Sequence, residues 1–247
     1  MTATQTYPRA APRAAPTPGS NAKFRSDRRN TSFVALPESR LLSALCARLP
    51  AWVAPDHLTL IGLAGAALAG LGFALMIVGV GFAWLAAFGL ALNWFGDSLD
   101  GNLARARGIE RPLYGFFVDH IVDALSTFLV MVGLSFSGLV DVRVGLIALA
   151  AHNLVFNYVF INQAVSNVLV LSFSRFGPTE MRMLLILASA VFAATAAFAA
   201  SALGFVQIVL NVAFALVACA SFATFVANAL GTAAKLRADE VARETRA

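Results

Sequence analysis

The chain has 247 residues, of which 59% are hydrophobic and only 13% are charged, and its mean hydropathy is +0.77. A soluble domain carries about 25% charged residues, so this composition excludes an ordinary soluble protein and predicts one membrane domain. The net charge of +5 does not indicate nucleic-acid binding, because the basic residues lie at the two ends and between apolar stretches, where anionic lipid headgroups attract them.

Residues 1–36 are rich in Pro, Ala, Arg and Thr. This segment has no apolar core of the signal-peptide kind, and it has too few hydrophobic residues to fold alone. We therefore predict a disordered, basic N-terminal tail.

Residues 37–49 contain an apolar face at helical spacing, made of Leu41, Leu42, Leu45 and Leu49. This pattern predicts an amphipathic helix. Two interpretations remain open, since such a helix either lies in the membrane interface or packs on the surface of the membrane domain.

Six long apolar segments follow, and each is long enough to cross about 30 Å of hydrocarbon, which takes roughly 20 residues. They are continuously apolar, whereas barrel strands alternate in polarity, so we predict an all-α polytopic membrane domain over residues 37–232. Small residues such as Gly62, Gly65 and Gly70 allow its helices to approach closely. Residues 233–247 are predicted to form a cytoplasmic C-terminal tail. The predicted spans are Leu58–Val78, Phe82–Leu103, Gly115–Leu139, Val144–Leu171, Arg182–Ser201 and Phe205–Leu230.

The basic residues predict the orientation of this domain. All of them except Arg143 lie before the first span, after the last, or in the second-to-third and fourth-to-fifth connections. With six spans these regions share one side, which the positive-inside rule identifies as cytoplasmic. We expect a bacterial-type inner or plasma membrane protein with both termini, and any site near these connections, on the cytoplasmic side.

Four carboxylates interrupt the second and third spans. Asp97 and Asp100 are three residues apart, and Asp119 and Asp123 are four apart, so each pair projects from one helical face. Because a short connection joins the two spans, we expect them to be antiparallel neighbours whose carboxylates face one another.

These carboxylates are costly, since each one inside a span costs roughly 2.5–3.5 kcal/mol. Hard oxygen ligands clustered in this way match what Mg²⁺ or Mn²⁺ requires, and two divalent ions would balance four negative charges. The structural alternative is a salt-bridged helix pair, for which Arg105, Arg107 and Arg111 supply cations. One or two ion pairs would be enough to hold two helices together, and four carboxylates exceed that need. We therefore favour a site for two metal ions.

Small residues and an arginine flank the carboxylates. Gly101 follows Asp100, Ala104 lies one turn further, and Gly115 lies one turn before the third carboxylate, so a bulky ligand has room to reach the ions. Helix packing explains each glycine alone equally well. Arg105 is placed at the mouth to meet a phosphate, and an anchor at the membrane surface is its alternative role.

The run from Asp97 to Asp123 resembles the signature of the CDP-alcohol phosphotransferases, also called CDP-alcohol phosphatidyltransferases. It reads Asp-x2-Asp-Gly-x2-Ala-Arg and then Gly-x3-Asp-x3-Asp. It departs from the usual pattern in one respect: nine residues separate Arg105 from Gly115 where the family has eight. The extra residue falls in the loop around Pro112. The resemblance extends over most of residues 37–232.

This resemblance implies an enzyme of phospholipid biosynthesis that moves a phosphatidyl or other substituted phosphate group from a CDP-linked donor to an alcohol, with release of CMP. The donor is CDP-diacylglycerol or a soluble CDP-alcohol, and family members are commonly homodimers. The four aspartates would hold two metal ions, with Asp123 as general base. The residues implied to line the CDP site are Gly101, Ala104, Arg105 and Gly115, and more weakly Asp56 and Thr59, which match the family's Pro-Asn-x-x-Thr except that Asp56 replaces Asn. Helix N-capping is the alternative role of the last two.

Arg175 and Arg182 lie in the other dense polar stretch, between the fourth and fifth spans. They either bind a phosphate on an anionic acceptor or anchor the ends of two successive helices.

Other function classes fit parts of the pattern. An aspartate-rich membrane prenyltransferase shares the spacing of Asn93, Asp97 and Asp100, but its second motif lies in a distant repeat. An intramembrane aspartyl protease needs the motif Gly-x-Gly-Asp, but in this chain Trp94 occupies the position of the first Gly. A non-enzymatic ion carrier would use the carboxylates without requiring the flanking glycines and arginine. Metal-dependent release of CMP distinguishes the family's reaction from all of these.

Overall fold

The computed structural model of the protein describes residues 35–166 and 178–245. Within these ranges the chain forms seven α-helices, joined in two places by short 3₁₀ turns, and no strand, so the prediction of an all-α protein is confirmed. The first 34 residues of the predicted N-terminal tail lie outside the described part. The helices are α1 (Ala35–Arg48), α2 (Pro55–Leu75), α3 (Ala83–Arg107), α4 (Pro112–Ser135), α5 (Val142–Ser166), α6 (Pro178–Phe198) and α7 (Leu203–Glu244).

Five of these helices, α2, α4, α5, α6 and α7, are long and apolar enough to cross a membrane, and the chain is an integral membrane protein. The helix α3 has 25 residues, a rise of about 37 Å, but Asp97, Asp100 and its C-terminal arginines lower its hydropathy. The count of six spans therefore stays a prediction that depends on α3. The helix α7 continues well past residue 232, so the predicted C-terminal tail begins as an extension of that helix.

The helix α2 is central to the part of the bundle that carries the carboxylates, and it packs most extensively on α3 and then on α4. Glycines make this possible. A Cβ on Gly96 of α3 would overlap the backbone of Gly62 and Leu58 in α2, and a Cβ on Gly133 of α4 would overlap the backbone of Gly70. The close approach predicted from the small residues of α2 is thus present on two of its sides.

The structure adds one observation to the expectation that α3 and α4 are antiparallel neighbours. They are consecutive and joined by a short loop, but in the described chain they share little direct packing, because both pack against α2. The polar side chains between them replace the small apolar residues that close the α2 interfaces. A cleft therefore opens between α3 and α4, and its back wall is α2.

The amphipathic helix α1 packs on the bundle, as the second of the two interpretations above predicts, and its position in the membrane interface stays a prediction. Leu42 and Cys46 are buried against side chains of α2 and α3, and Leu45 and Leu49 pack beside them. These four positions follow the i, i+3, i+4, i+7 pattern of a single stripe. Leu41, predicted for the same face, is half exposed because it lies about 100° around the helix from Leu42. Burial raises the pKa of the Cys46 thiol, so this side chain packs as a protonated, apolar group.

The connection between α1 and α2 is held by Arg107, the last residue of α3. Its guanidinium donates hydrogen bonds to the backbone carbonyls of Leu49 (3.1 Å), Pro50 (2.9 Å), Ala51 (3.3 Å) and Val53 (2.5 Å). Only the planar fork of an arginine presents enough donors for such a set. The chain entering α2 is therefore fixed to the end of the helix that carries Asp97 and Asp100.

Candidate functional site

The cleft between α3 and α4 contains all four of the carboxylates singled out in the sequence. Asp97 and Asp100 enter it from α3, Asp119 and Asp123 enter it from α4, and Thr59 reaches it from α2. The two helix faces predicted from the i, i+3 and i, i+4 spacings thus converge, although the helices that carry them are held in place by α2 rather than by each other.

Three of the carboxylates are close enough to share a cation. Asp97, Asp119 and Asp123 each offer an oxygen, and these oxygens all lie within 4.8 Å of one another. Each side chain is half-buried, so the group is shielded from water on one side and reachable on the other. Carboxylate oxygens at this spacing fit a hard divalent cation such as Mg²⁺ or Mn²⁺.

Asp100 lines the same cleft but is oriented separately. Its Oδ2 accepts a hydrogen bond of 2.7 Å from the Thr59 hydroxyl, and its Oδ1 accepts one of 2.6 Å from the Gly101 backbone N–H. Thr59 was predicted weakly as a nucleotide contact, which stays a prediction, and its hydroxyl lies against the Asp100 carboxylate. The contact fixes Asp100 on the α2 side of the cleft.

A cation from a distant part of the sequence also enters the cleft. Arg182, in the first turns of α6, lies 2.9 Å from the Asp97 carboxylate, and only 14% of its side chain is exposed. The structure therefore brings one of the two predicted acceptor-binding arginines to the carboxylates. Arg175, the other, lies outside the described residues.

The small residues beside the carboxylates border open space. A Cβ on Gly115 would meet nothing within 4 Å, and a Cβ on Gly101 would meet only the Arg105 guanidinium, at 3.4 Å. Arg105 is exposed and donates a 3.0 Å hydrogen bond to Asn102, while Ala104 is half-buried one turn from Asp100 along α3. There is thus room next to the carboxylates for a ligand that is larger than an ion.

Asp56, the remaining predicted nucleotide contact, is engaged elsewhere. Its carboxylate forms an ion pair with Arg111, whose guanidinium also lies 4.2 Å from the ring centroid of Tyr114. This pair joins the start of α2 to the start of α4. It holds together the ends of the two helices that form the back and one side of the cleft.

Two polar residues at the floor of the cleft, Asn93 and Ser126, were not assigned to the site from the sequence. Asn93 is buried and donates a 2.9 Å hydrogen bond to the Gly62 carbonyl, and Ser126 is buried with its hydroxyl unpaired among the described residues. Each lies three or four residues from a carboxylate of the cluster, so the same helical spacing that paired the aspartates would have found them. His120 lies outside the cleft, as its angle around α4 predicts. It packs on aromatic rings and donates a 2.7 Å hydrogen bond through Nδ1 to the Phe116 carbonyl.

Comparison with protein-family profiles identifies the family of this chain. A family profile described as CDP-alcohol phosphatidyltransferase matches residues 52–230. Among solved structures, the chain is similar to the crystal structure of Mycobacterium tuberculosis phosphatidylinositol phosphate synthase (PgsA1) with CDP-DAG bound, with 20% sequence identity and a TM-score of 0.49. The similarity covers 76% of this chain and 92% of that one. A comparison with curated proteins found no match.

Proposed function

The chain belongs to the CDP-alcohol phosphatidyltransferase family, and on that premise we propose that it moves a phosphatidyl group from CDP-diacylglycerol to an alcohol acceptor, with release of CMP. The enzyme class, a CDP-alcohol phosphotransferase of phospholipid biosynthesis, follows from the family. The choice of a lipid donor, the metal ions and the roles of single residues are our proposal.

One observation carries the proposal: four carboxylates from two helices meet in one cleft of a membrane protein, next to open space. At roughly 2.5–3.5 kcal/mol each, such groups are retained in a membrane only for a function. Because Arg182 offsets one charge of the four, a large negative charge remains for bound cations.

Asp97, Asp119 and Asp123 would hold one divalent ion, and Asp100 would contribute to a second. When bound, the ions neutralise the donor diphosphate and stabilise the charge that develops on the leaving CMP. The hydrogen bonds from Thr59 and Gly101 would keep the Asp100 carboxylate turned towards the cleft in the absence and in the presence of the donor.

We assign the role of general base to Asp123. An oxygen of its carboxylate would take the proton of the acceptor hydroxyl as the alcohol oxygen bonds to the phosphorus that carries the lipid. The bond from that phosphorus to the bridging oxygen breaks, and CMP leaves with the electron pair. Asp123 lies within reach of both Asp97 and Asp119, so the base and the donor phosphates would be held in one place.

The donor nucleotide would occupy the open space bordered by Gly101, Ala104 and Gly115, with the Arg105 guanidinium meeting a phosphate. Asp56 and Thr59 would contribute to the same site from the start of α2, by their match to the family's motif, and Asp56 would do so while paired with Arg111. Arg182 would meet an anionic group of the acceptor, and we extend the same role to Arg175 from the sequence alone.

Two expectations about the whole protein belong to the same proposal. The site would face the cytoplasm of a bacterial-type membrane, since the basic residues flank the mouth of the cleft. The protein would be a homodimer, which light scattering of the purified protein in detergent would check.

A direct assay tests this function. Purified protein with Mg²⁺ and CDP-diacylglycerol is incubated with a panel of neutral and phosphorylated polyols, and CMP is measured. We expect CMP release with at least one alcohol and none when a chelator removes the metal. No CMP from CDP-diacylglycerol with any of these alcohols would contradict the proposed reaction, and an ion carrier or a prenyltransferase would give that result.

A further inference from the structure

Three helices meet at one oxygen atom of Glu38. The Oε1 of this α1 residue accepts a 2.9 Å hydrogen bond from the indole Nε1–H of Trp94 in α3 and a 2.8 Å hydrogen bond from the hydroxyl of Thr179 in α6. All three side chains are half-buried. We call this arrangement the Glu38 bridge.

The bridge lies one helical turn from the active-site ion pair on both helices that it connects. Trp94 precedes Asp97 by three residues in α3, and Thr179 precedes Arg182 by three residues in α6. Residues three apart lie on one helix face, so the bridge and the Asp97–Arg182 pair act on the same α3–α6 interface. Thr179 is also in the first turn of α6, so the bridge determines where that helix starts against α3.

The chemistry of the bridge suits a positioning role. The indole N–H can only donate, and a carboxylate accepts such bonds more strongly than a neutral group does. Within residues 35–166 and 178–245, Glu38 forms no ion pair, and both hydrogen bonds to its Oε1 come from neutral donors. The helix α6 packs mainly on α3, and Leu185 and Phe192 anchor its later turns in the hydrophobic core, so the bridge acts on the first turn of α6.

We infer that Glu38 is a positioning residue: through Trp94 and Thr179 it fixes the start of α6 against α3 and so places the Arg182 guanidinium at Asp97 in the cleft. The effect of Glu38 on catalysis rests on the proposed function, whereas its effect on the position of α6 against α3 does not. The amphipathic helix α1 is then part of the support of the active site, in addition to being packed on the bundle.

A double-mutant cycle between Glu38 and Arg182 tests the inference, since these residues act together only if the bridge transmits the effect. Mn²⁺ affinity is measured by calorimetry for the wild type, Glu38→Ala, Arg182→Gln and the double variant. Arg182→Gln removes the cation that competes with the metal for Asp97, so it should tighten Mn²⁺ binding by about tenfold. Changes of this size in metal affinity are typical when residues that contact metal ligands are replaced. Glu38→Ala should shift the affinity in the same direction, and the double variant should equal Arg182→Gln alone. Independent, additive effects, or no effect of Glu38→Ala, would overturn the inference.

Amide hydrogen exchange gives a second readout that needs neither metal nor activity. The amides of residues 182–186 should exchange about tenfold faster in Glu38→Ala and in Thr179→Val, which removes one hydroxyl at nearly constant volume. Arg40→Ala, an exposed neighbour on α1, should leave them unchanged. If the wild type binds no Mn²⁺, the proposed function fails, and the exchange measurement alone tests whether Glu38 positions α6. Unchanged exchange in both bridge variants would refute it, and where Glu38→Ala folds poorly, unchanged exchange in Thr179→Val alone would refute it.

Discussion

Replacing Asp123 with asparagine is expected to reduce turnover by about 10³-fold or more, with donor binding largely retained. A positioned general base contributes about 10²–10⁴-fold, and asparagine cannot accept the proton. The amide keeps the shape of the side chain and one oxygen towards Asp97 and Asp119, so the donor should still bind. Because the change removes a negative charge from a crowded cluster in the membrane, the thermal stability of the protein in detergent should be unchanged or higher.

Two control variants make this result specific. Asp119→Asn should weaken metal binding and turnover together, since Asp119 is assigned only to the metal. Asp239→Asn, on the exposed extension of α7, should change neither. The measurements are initial rates of CMP release and the apparent KM for CDP-diacylglycerol. Turnover of Asp123→Asn within tenfold of the wild type would remove Asp123 from the role of base.

Replacing Gly96 with alanine is expected to prevent normal folding. The added Cβ would overlap the backbone of Gly62 and Leu58, and backbone atoms of a packed helix cannot move aside as a flexible side chain can. Forcing α2 and α3 apart should cost about 3 kcal/mol or more, at the upper end of what overpacking costs. It would also displace Asp97, the next residue. Expression, monodispersity in detergent and thermal unfolding measure the effect.

Gly115 is the matched control, because it is also a helical glycine next to the cleft but has open space around its Cβ direction. Gly115→Ala should fold as well as the wild type or better, since alanine favours a helix over glycine by about 1 kcal/mol. Gly115→Leu should also fold, but it should raise the KM for the donor by filling the nucleotide space. Equal stability of Gly96→Ala and Gly115→Ala would contradict the packing described for α2 and α3.

The sequence was sufficient for the parts of the protein that depend on local spacing. Apolar segments of spanning length predicted the helices, and each carboxylate pair was placed on one face by its three- or four-residue separation. The small residues of α2 predicted close approach because a missing side chain can be read directly from the sequence. The cleft residues Asn93 and Ser126 could have been found by the same rule.

Contacts between distant segments could not be read in this way. Arg182 is 85 residues from Asp97, and nothing in the spacing of either segment shows that α6 packs on α3 with these side chains together. The same holds for Thr59 with Asp100 and for Glu38 with Trp94. The order of the helices along the chain predicted that the carboxylates of α3 and α4 face one another, but it could not show that both helices pack mainly on α2.

Calorimetric titration of the purified protein with Mg²⁺ and with Mn²⁺, each in the absence and presence of CDP-diacylglycerol, tests whether the carboxylates of the cleft bind metal ions. We predict saturable binding of at least one ion per chain, tighter and approaching two ions with the donor, and lost in a variant lacking Asp97 and Asp119. If none of the four titrations shows binding, the carboxylates of the cleft are not a metal site, and the proposed mechanism is wrong.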